Sequence, residues 1–273
     1  MTRLFLFMVL LFRAAVLSGY ADDGLTLSWT NKILTVSAST LPGGKLEILY
    51  LEAFCHKGST HCDWHKTVLP HRTRLVAAEP GHLRFRTTIE PDAVMLHEVR
   101  VASNGVEFQF ALTNQGLEPL DLEWFQPACI RVGRFTGLDQ SNYTSRSFIF
   151  AERGLTTLNQ TRRQEEGFYR GGQVYVPKGI NLADVNPRPI CQDQPVNGLI
   201  GCFSADGKQL LATASSSTHE LFEGVFVCLH SDPHVGGLAS GETKQIHAKI
   251  YLLQNDPEEL LKLYRQDFPD ERH

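Results

Sequence analysis

Apolar and polar residues alternate with period two through much of this chain, and no other feature constrains its fold as strongly. Successive side chains of an extended strand point to opposite faces, so each alternating run predicts a strand with one face buried. Such runs occupy 25–29, 33–37, 45–51, 83–89, 95–101 and 106–112. Ser103-Asn104-Gly105 joins the last two as a hairpin, and Ala205-Asp206-Gly207 marks a second turn where glycine supplies positive φ. Further strands are expected over 120–132, 147–150, 198–204, 209–214, 224–230 and 243–253. One helix is expected, over 257–266: Asp256 can cap it, Pro257 suits its first position, Glu259 has capping-box spacing, and Leu260, Leu261 and Tyr264 form its apolar stripe. A dozen or so short strands and one C-terminal helix predict an all-β fold, a large antiparallel β-sandwich, as a single domain over 22–273.

Composition sets the surroundings. With 42% hydrophobic residues in 273, a sizeable core is available, and 26 Lys and Arg against 30 Asp and Glu give a formal charge of -4. Nothing basic is in excess to meet a phosphate backbone, so nucleic acid is not an expected partner. Residues 1–21 begin with Arg3, run through an apolar stretch and end Ser18-Gly19-Tyr20-Ala21, the pattern of a secretory signal peptide. The expected location is periplasmic or secreted. No later stretch approaches the length of a membrane span. Export permits disulfides, and Cys55 with Cys62, flanking a Gly-Ser-Thr turn, is the first expected bridge. Cys129 and Cys228 stand in apolar runs, where a buried thiol and a bridge both remain open. The oligomeric state is not set by any feature of the chain.

Two stretches interrupt the strand rhythm and are expected to bind ligand: 55–71, with four of the 11 histidines and Trp64, and the Pro-rich 171–195. In the first, Cys62-x-x-His65 has a spacing compatible with zinc, but no matching second pair follows, so neither metal nor other cofactor is assigned. Trp64, His65 and His71 are instead expected to face a ligand. In the second, Arg188 is locked between Pro187 and Pro189, where a guanidinium suits a carboxylate such as that of a uronic acid or could brace the loop. Gln173, Tyr175 and Asn186 accompany it. Near the C-terminal end of the strands, His230, Asp232 and His234 recur at two-residue spacing, which puts three side chains on one side of an extended segment. That triplet reads as a metal site, an acid/base group or a polar turn. Glu220 and Glu223 are candidate acid/base carboxylates. There is no P-loop, Gly-x-Gly-x-x-Gly, Gly-x-Ser-x-Gly or His-Glu-x-x-His motif, so nucleotide use, serine hydrolysis and zincin proteolysis lose support.

The segment Glu107-Phe108-Gln109-Phe110-Ala111-Leu112-Thr113-Asn114, followed by Leu122-Glu123-Trp124-Phe125-Gln126-Pro127, resembles the galactose-mutarotase-like supersandwich, used by aldose epimerases and many polysaccharide-processing enzymes. The runs 198–207 and 220–224 also resemble uncharacterised secreted proteins of environmental bacteria such as planctomycetes. The first resemblance implies a carbohydrate ligand in a sandwich cleft. By their own chemistry Trp64, Trp124, Tyr169 and Tyr175 are candidates to stack on sugar faces, and Gln126 is a further candidate contact. The family's Asn-His-x-x-His-Gly-Gly loop is absent here, and His97 stands in a strand as Leu96-His97-Glu98, so no catalytic residue is carried over from the family. Two readings follow. One is an exported carbohydrate-active enzyme whose acid/base groups are His71, His97, His230, Glu220 and Glu223. The other is a non-catalytic binding module on the same scaffold. The enzyme reading requires His71, His97 and His230 to share one concave surface.

Overall fold

A computed structural model describes residues 24–270; the expected signal peptide lies outside them. Sixteen strands form, in chain order β1 (Thr26–Thr30), β2 (Ile33–Ser37), β3 (Lys45–Cys55), β4 (His71–Glu79), β5 (His82–Ile89), β6 (Ala93–Ala102), β7 (Gly105–Asn114), β8 (Trp124–Arg131), β9 (Ser147–Ala151), β10 (Gly154–Thr157), β11 (Gln173–Tyr175), β12 (Pro195–Phe203), β13 (Gln209–Ser215), β14 (Thr218–Gly224), β15 (Cys228–Pro233) and β16 (Thr243–Gln254). They make two antiparallel sheets. One has seven strands in the order β1-β2-β3-β8-β15-β14-β11; the other has nine, in the order β10-β9-β12-β13-β16-β7-β6-β5-β4. The expected hairpin is β6–β7, and it needs Gly105: φ is 142°, and a Cβ there would stand 1.9 Å from the Ile250 carbonyl oxygen.

The sheets close on one apolar core. Leu34, Val36, Ile48, Phe54, Phe125, Ile130, Leu221 and Leu229 come from the seven-stranded sheet, and Phe85, Met95, Phe108, Phe110, Ile200, Leu211 and Ile250 from the nine-stranded one. Phe125 stacks on Phe54 at 5.4 Å and meets Phe110 edge-on across the gap, also at 5.4 Å. Arrangements of this kind add about 0.5–1.5 kcal/mol to the area each ring buries.

Three helices are present among the described residues, where the alternation and capping pattern predicted one. Two are single turns, α1 (Trp64–Thr67) and α2 (Gly133–Thr136), too short to leave a periodic signal. The third, α3 (Pro257–Asp267), has Asp256 accepting from the Glu258 and Glu259 amides. Its Leu260 and Tyr264, with the following Phe268, pack on Phe148, Leu199, Leu210 and Tyr251 on the outer face of the nine-stranded sheet.

The outer face of the seven-stranded sheet is covered differently. A turn of 3-10 helix (Ser59–His61) and α1 lie over one side of it, and the Pro-rich strap 177–191 lies over the other. The two covers are latched together. The Ser59 hydroxyl donates to the Asp184 and Val185 carbonyls, both at 2.8 Å, and the Thr60 hydroxyl donates to the Leu182 carbonyl at 2.7 Å. The Thr60 hydroxyl also accepts from the Val185 amide at 3.0 Å. No described helix is long and apolar enough to cross a membrane.

The expected Cys55–Cys62 disulfide is not made: all six cysteines are free thiols. Cys55 ends β3 opposite Trp124 and is buried against Ala53 and Trp124, while the 3-10 turn carries Cys62 onward to a partly exposed position. The sequence turn between them is a covering element anchored to the strap rather than a loop drawn tight by a bridge.

Candidate functional site

Strand alternation sorts the residues of the seven-stranded sheet into two sets. In β8, Phe125 and Ile130 enter the inter-sheet core, so Trp124, Gln126 and Cys129 point outward under the covers. In β14 and β15, Leu221 and Leu229 face the core, so the cross-strand pairs Glu220–Asp232, Phe222–His230 and Gly224–Cys228 are outward as well. The result is a buried polar patch on the outer face, beneath Trp64, Tyr169 and the strap.

A cavity of about 290 Å³ opens above this patch. Gln126, Cys129, Cys228 and His230 contribute its floor, and Glu52, Trp64, His65, Tyr169, Asn186 and Arg188 contribute its walls and mouth. Trp64 lies 6.2 Å from the Trp124 ring. The Trp64 amide donates to the Tyr169 hydroxyl, which donates to Asp63, both at 3.1 Å, so the two aromatic walls are fixed to one another. The Arg188 guanidinium lies over the Tyr169 ring at 5.3 Å and donates to the Arg170 carbonyl, and burial lowers its pKa. It therefore both braces the strap and lines the cavity.

Glu52 was not evident from the sequence. It sits where β3 loses register with β8: Tyr50 pairs with Ala128 and Ala53 with Gln126, so Leu51 and Glu52 oppose the single residue Pro127. Leu51 takes φ 54° to make this bulge, and the extra residue brings Glu52 to the cavity wall. Pro127 was the available signal, because proline inside a central strand cannot donate to the ladder and marks an interruption.

Behind the floor lies a second layer of buried charge. Gln126 Nε2 donates to Asp232 Oδ2 at 3.1 Å and stands 3.4 Å from His230 Nδ1, and His230 Nδ1 is 3.7 Å from Asp232 Oδ1. Burial works against a charge on His230, while Cys129 and the Asp232 carboxylate favour one, and the ring's pKa stands well above its ordinary value. The hydrogen bond with Cys228 and burial both push the Cys129 thiol up. Glu220 accepts from the Asn186 amide at 2.9 Å and is fully buried; burial raises its pKa, the adjacent His219 opposes that rise and the Asp232 charge adds to it. His219, unremarked beside Glu220 in the sequence, is stacked between Trp124 at 5.5 Å and His234 at 5.6 Å. Its Nδ1 lies 3.4 Å from Glu220 Oε2, an ion-pair distance, though neither ring nitrogen has a well-aligned hydrogen bond among the described residues.

The other expected site residues lie elsewhere. His97 faces the inter-sheet core: Nδ1 meets the Tyr50 hydroxyl at 2.7 Å, Nε2 meets Thr87 at 2.9 Å, and burial pushes its pKa down to about 3. His71 Nε2 bonds to the Leu51 carbonyl at 3.1 Å, and its ring packs edge-on against Phe54. Glu223 faces inward, gripped by both Nη atoms of Arg163 and accepting from Tyr175 at 3.3 Å. Gln173, its cross-strand partner, accepts from the Gln164 amide at 2.9 Å and so pins the preceding loop. His234 leaves the patch, bonding Glu123 at 2.9 Å. His71, His97 and His230 thus share no concave surface. The zinc-compatible spacing of Cys62 and His65, to which no metal was assigned, gathers no group of three ligands among the described residues, and His56 bonds the Asp121 carbonyl at 2.9 Å.

A wider depression of about 1070 Å³ is lined in part by Arg153, Arg162, Lys178, Asp193 and His234. Its arginines are already engaged, Arg162 with Asp193 at 2.8 Å and Arg153 with the same carboxylate at 3.5 Å. The smaller cavity carries more chemistry because its buried floor groups face open space.

The chain matches no protein-family model and no curated protein. Among solved structures it is similar to a galactose mutarotase-like protein from Lactobacillus casei, with 12% identity and a TM-score of 0.44 over 84% of this chain and 100% of that one. It is also similar to the Slr1438 protein of Synechocystis (9%, 0.44, 84% and 94%) and to a galactose mutarotase-like protein from Clostridium acetobutylicum (10%, 0.43, 84% and 94%).

Proposed function

We propose that the protein binds a carbohydrate in the cavity above Gln126 and His230, and that it acts there as a binding protein. The observation that carries this reading is the make-up of one small space: fixed aromatic walls from Trp64 and Tyr169, a guanidinium at Arg188, and hydrogen-bonding groups from Gln126, Asn186 and His230. Sugars present apolar C–H faces edged by hydroxyls, and aromatic plates with convergent polar groups match both. At about 290 Å³ the cavity lies just below the roughly 300–1,000 Å³ of ordinary ligand pockets, which suits one sugar ring better than a length of polysaccharide. Arg188 favours an acidic sugar, because a guanidinium can hold a carboxylate through two parallel N–H bonds.

The binding reading is preferred to the enzyme reading because the histidines that an acid/base mechanism would recruit are dispersed. His97 is discharged by burial with both nitrogens occupied, His71 holds a backbone carbonyl, and Glu223 is committed to Arg163. A glycan array with neutral sugars and uronic acids, probed with the wild type, Arg188→Ala and Trp64→Ala, tests the proposal. Removing one charge-assisted contact, about 1.5–3 kcal/mol, should weaken acidic-sugar binding about 10- to 150-fold in Arg188→Ala. Trp64→Ala should weaken acidic and neutral sugars alike. Unchanged binding in both variants would place the ligand outside this cavity, and turnover of a bound glycan would restore the enzyme reading.

A further inference from the structure

We propose that Cys129, Cys228 and His230 form a binding site for a zinc-class metal ion in the cavity floor, with its fourth coordination position facing the cavity. The proposal stands on strand geometry and does not depend on the sugar reading. β8 and β15 pair with Cys228 opposite Arg131 and Leu229 opposite Ile130. Continuing that ladder by one residue sets His230 across from Cys129, and the two-residue spacing of Cys228 and His230 puts both on the same face. The two sulfurs and one imidazole nitrogen lie within 4.8 Å of one another, and this is the one group of three or more such ligands that converges among the described residues.

The distances suit an ion. Zn–S bonds of about 2.3 Å and Zn–N bonds of about 2.0–2.1 Å at a tetrahedral centre imply an S···N edge of roughly 3.6 Å. Cys228 Sγ lies 3.5 Å from His230 Nε2. A metal on Nε2 leaves the ring proton on Nδ1, which faces Asp232 Oδ1 at 3.7 Å. That oxygen is buried and lacks a hydrogen-bond partner among the described residues. Carboxylates placed behind metal-binding histidines in this way fix the tautomer and aim the ring. Phe222 packs edge-on against the same ring at 5.2 Å.

Space for the sulfur is also specific. Gly224 stands opposite Cys228, and a Cβ at 224 would come within 2.4 Å of Cys228 Sγ. Since no positive φ requires glycine there, the Cys228 thiol is the reason on view for a bare backbone. Two thiolates and one imidazole, all lining a cavity, leave the fourth position open, as at catalytic rather than structural zinc centres. On binding, the two thiol protons and the proton on His230 Nε2 pass to solvent while Nδ1 keeps its own, and affinity should therefore rise with pH.

The test uses the wild-type chain, reduced anaerobically and titrated with zinc or cobalt(II). One equivalent should bind, cobalt should give a thiolate charge-transfer band, and zinc should protect Cys129 and Cys228 from alkylation while leaving Cys62 reactive in peptide maps. Cys129→Ser, Cys228→Ser and Gly224→Ala should each weaken zinc binding at least 10-fold, the last without removing any ligand. The protection map needs no variant to fold. Absence of binding by the fully reduced protein, or protection of cysteines other than this pair, would each overturn the site.

Discussion

The two faces of the seven-stranded sheet bury histidine in opposite ways. His97, contributed from the other sheet to the space on the inner face, has Tyr50 and Thr87 on its two nitrogens and Phe85 stacked on its ring at 5.1 Å. His230, on the outer face, has Cys228, Cys129 and Asp232 around it and a cavity above. Both are at least 95% buried, so burial alone says nothing about role. What separates them is whether the neighbours close the hydrogen-bonding capacity of the ring or leave reactive groups facing open space. Inner polar residues, including Glu223 with Arg163, are tied off; outer ones are stacked, crowded and in part unpaired.

The largest effect expected from this contrast is on acid stability. The folded-state pKa of His97 is about 3 against 6.5 for the free ring, so below pH 6.5 the unfolded chain binds a proton that the native state refuses. The stability contributed by a neutral His97 is present above pH 6.5 and is lost as pH falls toward 3, at up to about 1.4 kcal/mol per pH unit. Urea denaturation of the wild type and His97→Gln at several pH values in that range should show a steeper acid loss in the wild type. Equal slopes would mean that the inner histidine is not held neutral.

Next in size is the inner ion pair. Glu223 is almost fully buried, and Glu223→Ala strands the Arg163 guanidinium that it neutralises. Because part of Arg163 reaches solvent, the expected loss is at the low end of the range for a broken buried pair, about 3 kcal/mol by chemical denaturation. Carbohydrate binding by the folded fraction should not change. A weakened ligand with unchanged stability would move Glu223 to the functional face and dissolve the distinction.

The smallest effect has the opposite sign. Burial raises the Glu220 pKa above its unfolded value, so its stabilising contribution is present at low pH, below that unfolded value, and is lost as pH rises through the raised value. Glu220→Gln keeps an oxygen for the Asn186 amide and removes the charge beside Asp232. Its melting temperature should exceed that of the wild type once pH has risen through the raised value and converge with it below pH 4. A lower melting temperature at every pH would show that the carboxylate is a stabilising partner of His219.

The architecture was legible in the sequence because its signals are local. The β6–β7 hairpin and the capped α3 lie within two residues of their expected positions. The site was less legible, and for two reasons. Face parity separates the two carboxylates: Glu220 and Glu223 are three apart in a strand, which puts them on opposite faces, one under the strap and one against Arg163. The pairing of β8 with β15 was not available, since nothing local says that Cys129 and His230, about a hundred residues apart, are neighbours. His97 has the pattern of a core position, alternating with the exposed Leu96 and the partly buried Glu98, and its periodicity outweighs its chemistry.

The latch between the covering elements has a consequence for the protein during synthesis. Ser59 and Thr60 find their partners about 125 residues later, at Asp184 and Val185. A chain interrupted before the strap could pair β3 with β8 yet would leave Trp124 and Cys55 with part of their roof missing, and the seven-stranded sheet would still lack β14 and β15. An aromatic strip beside unpaired strand edges is a template for association with other chains. Until its last third emerges, the chain therefore presents a surface of the kind that associates, and the same surface becomes the floor of a cavity only once the strap has been laid across it.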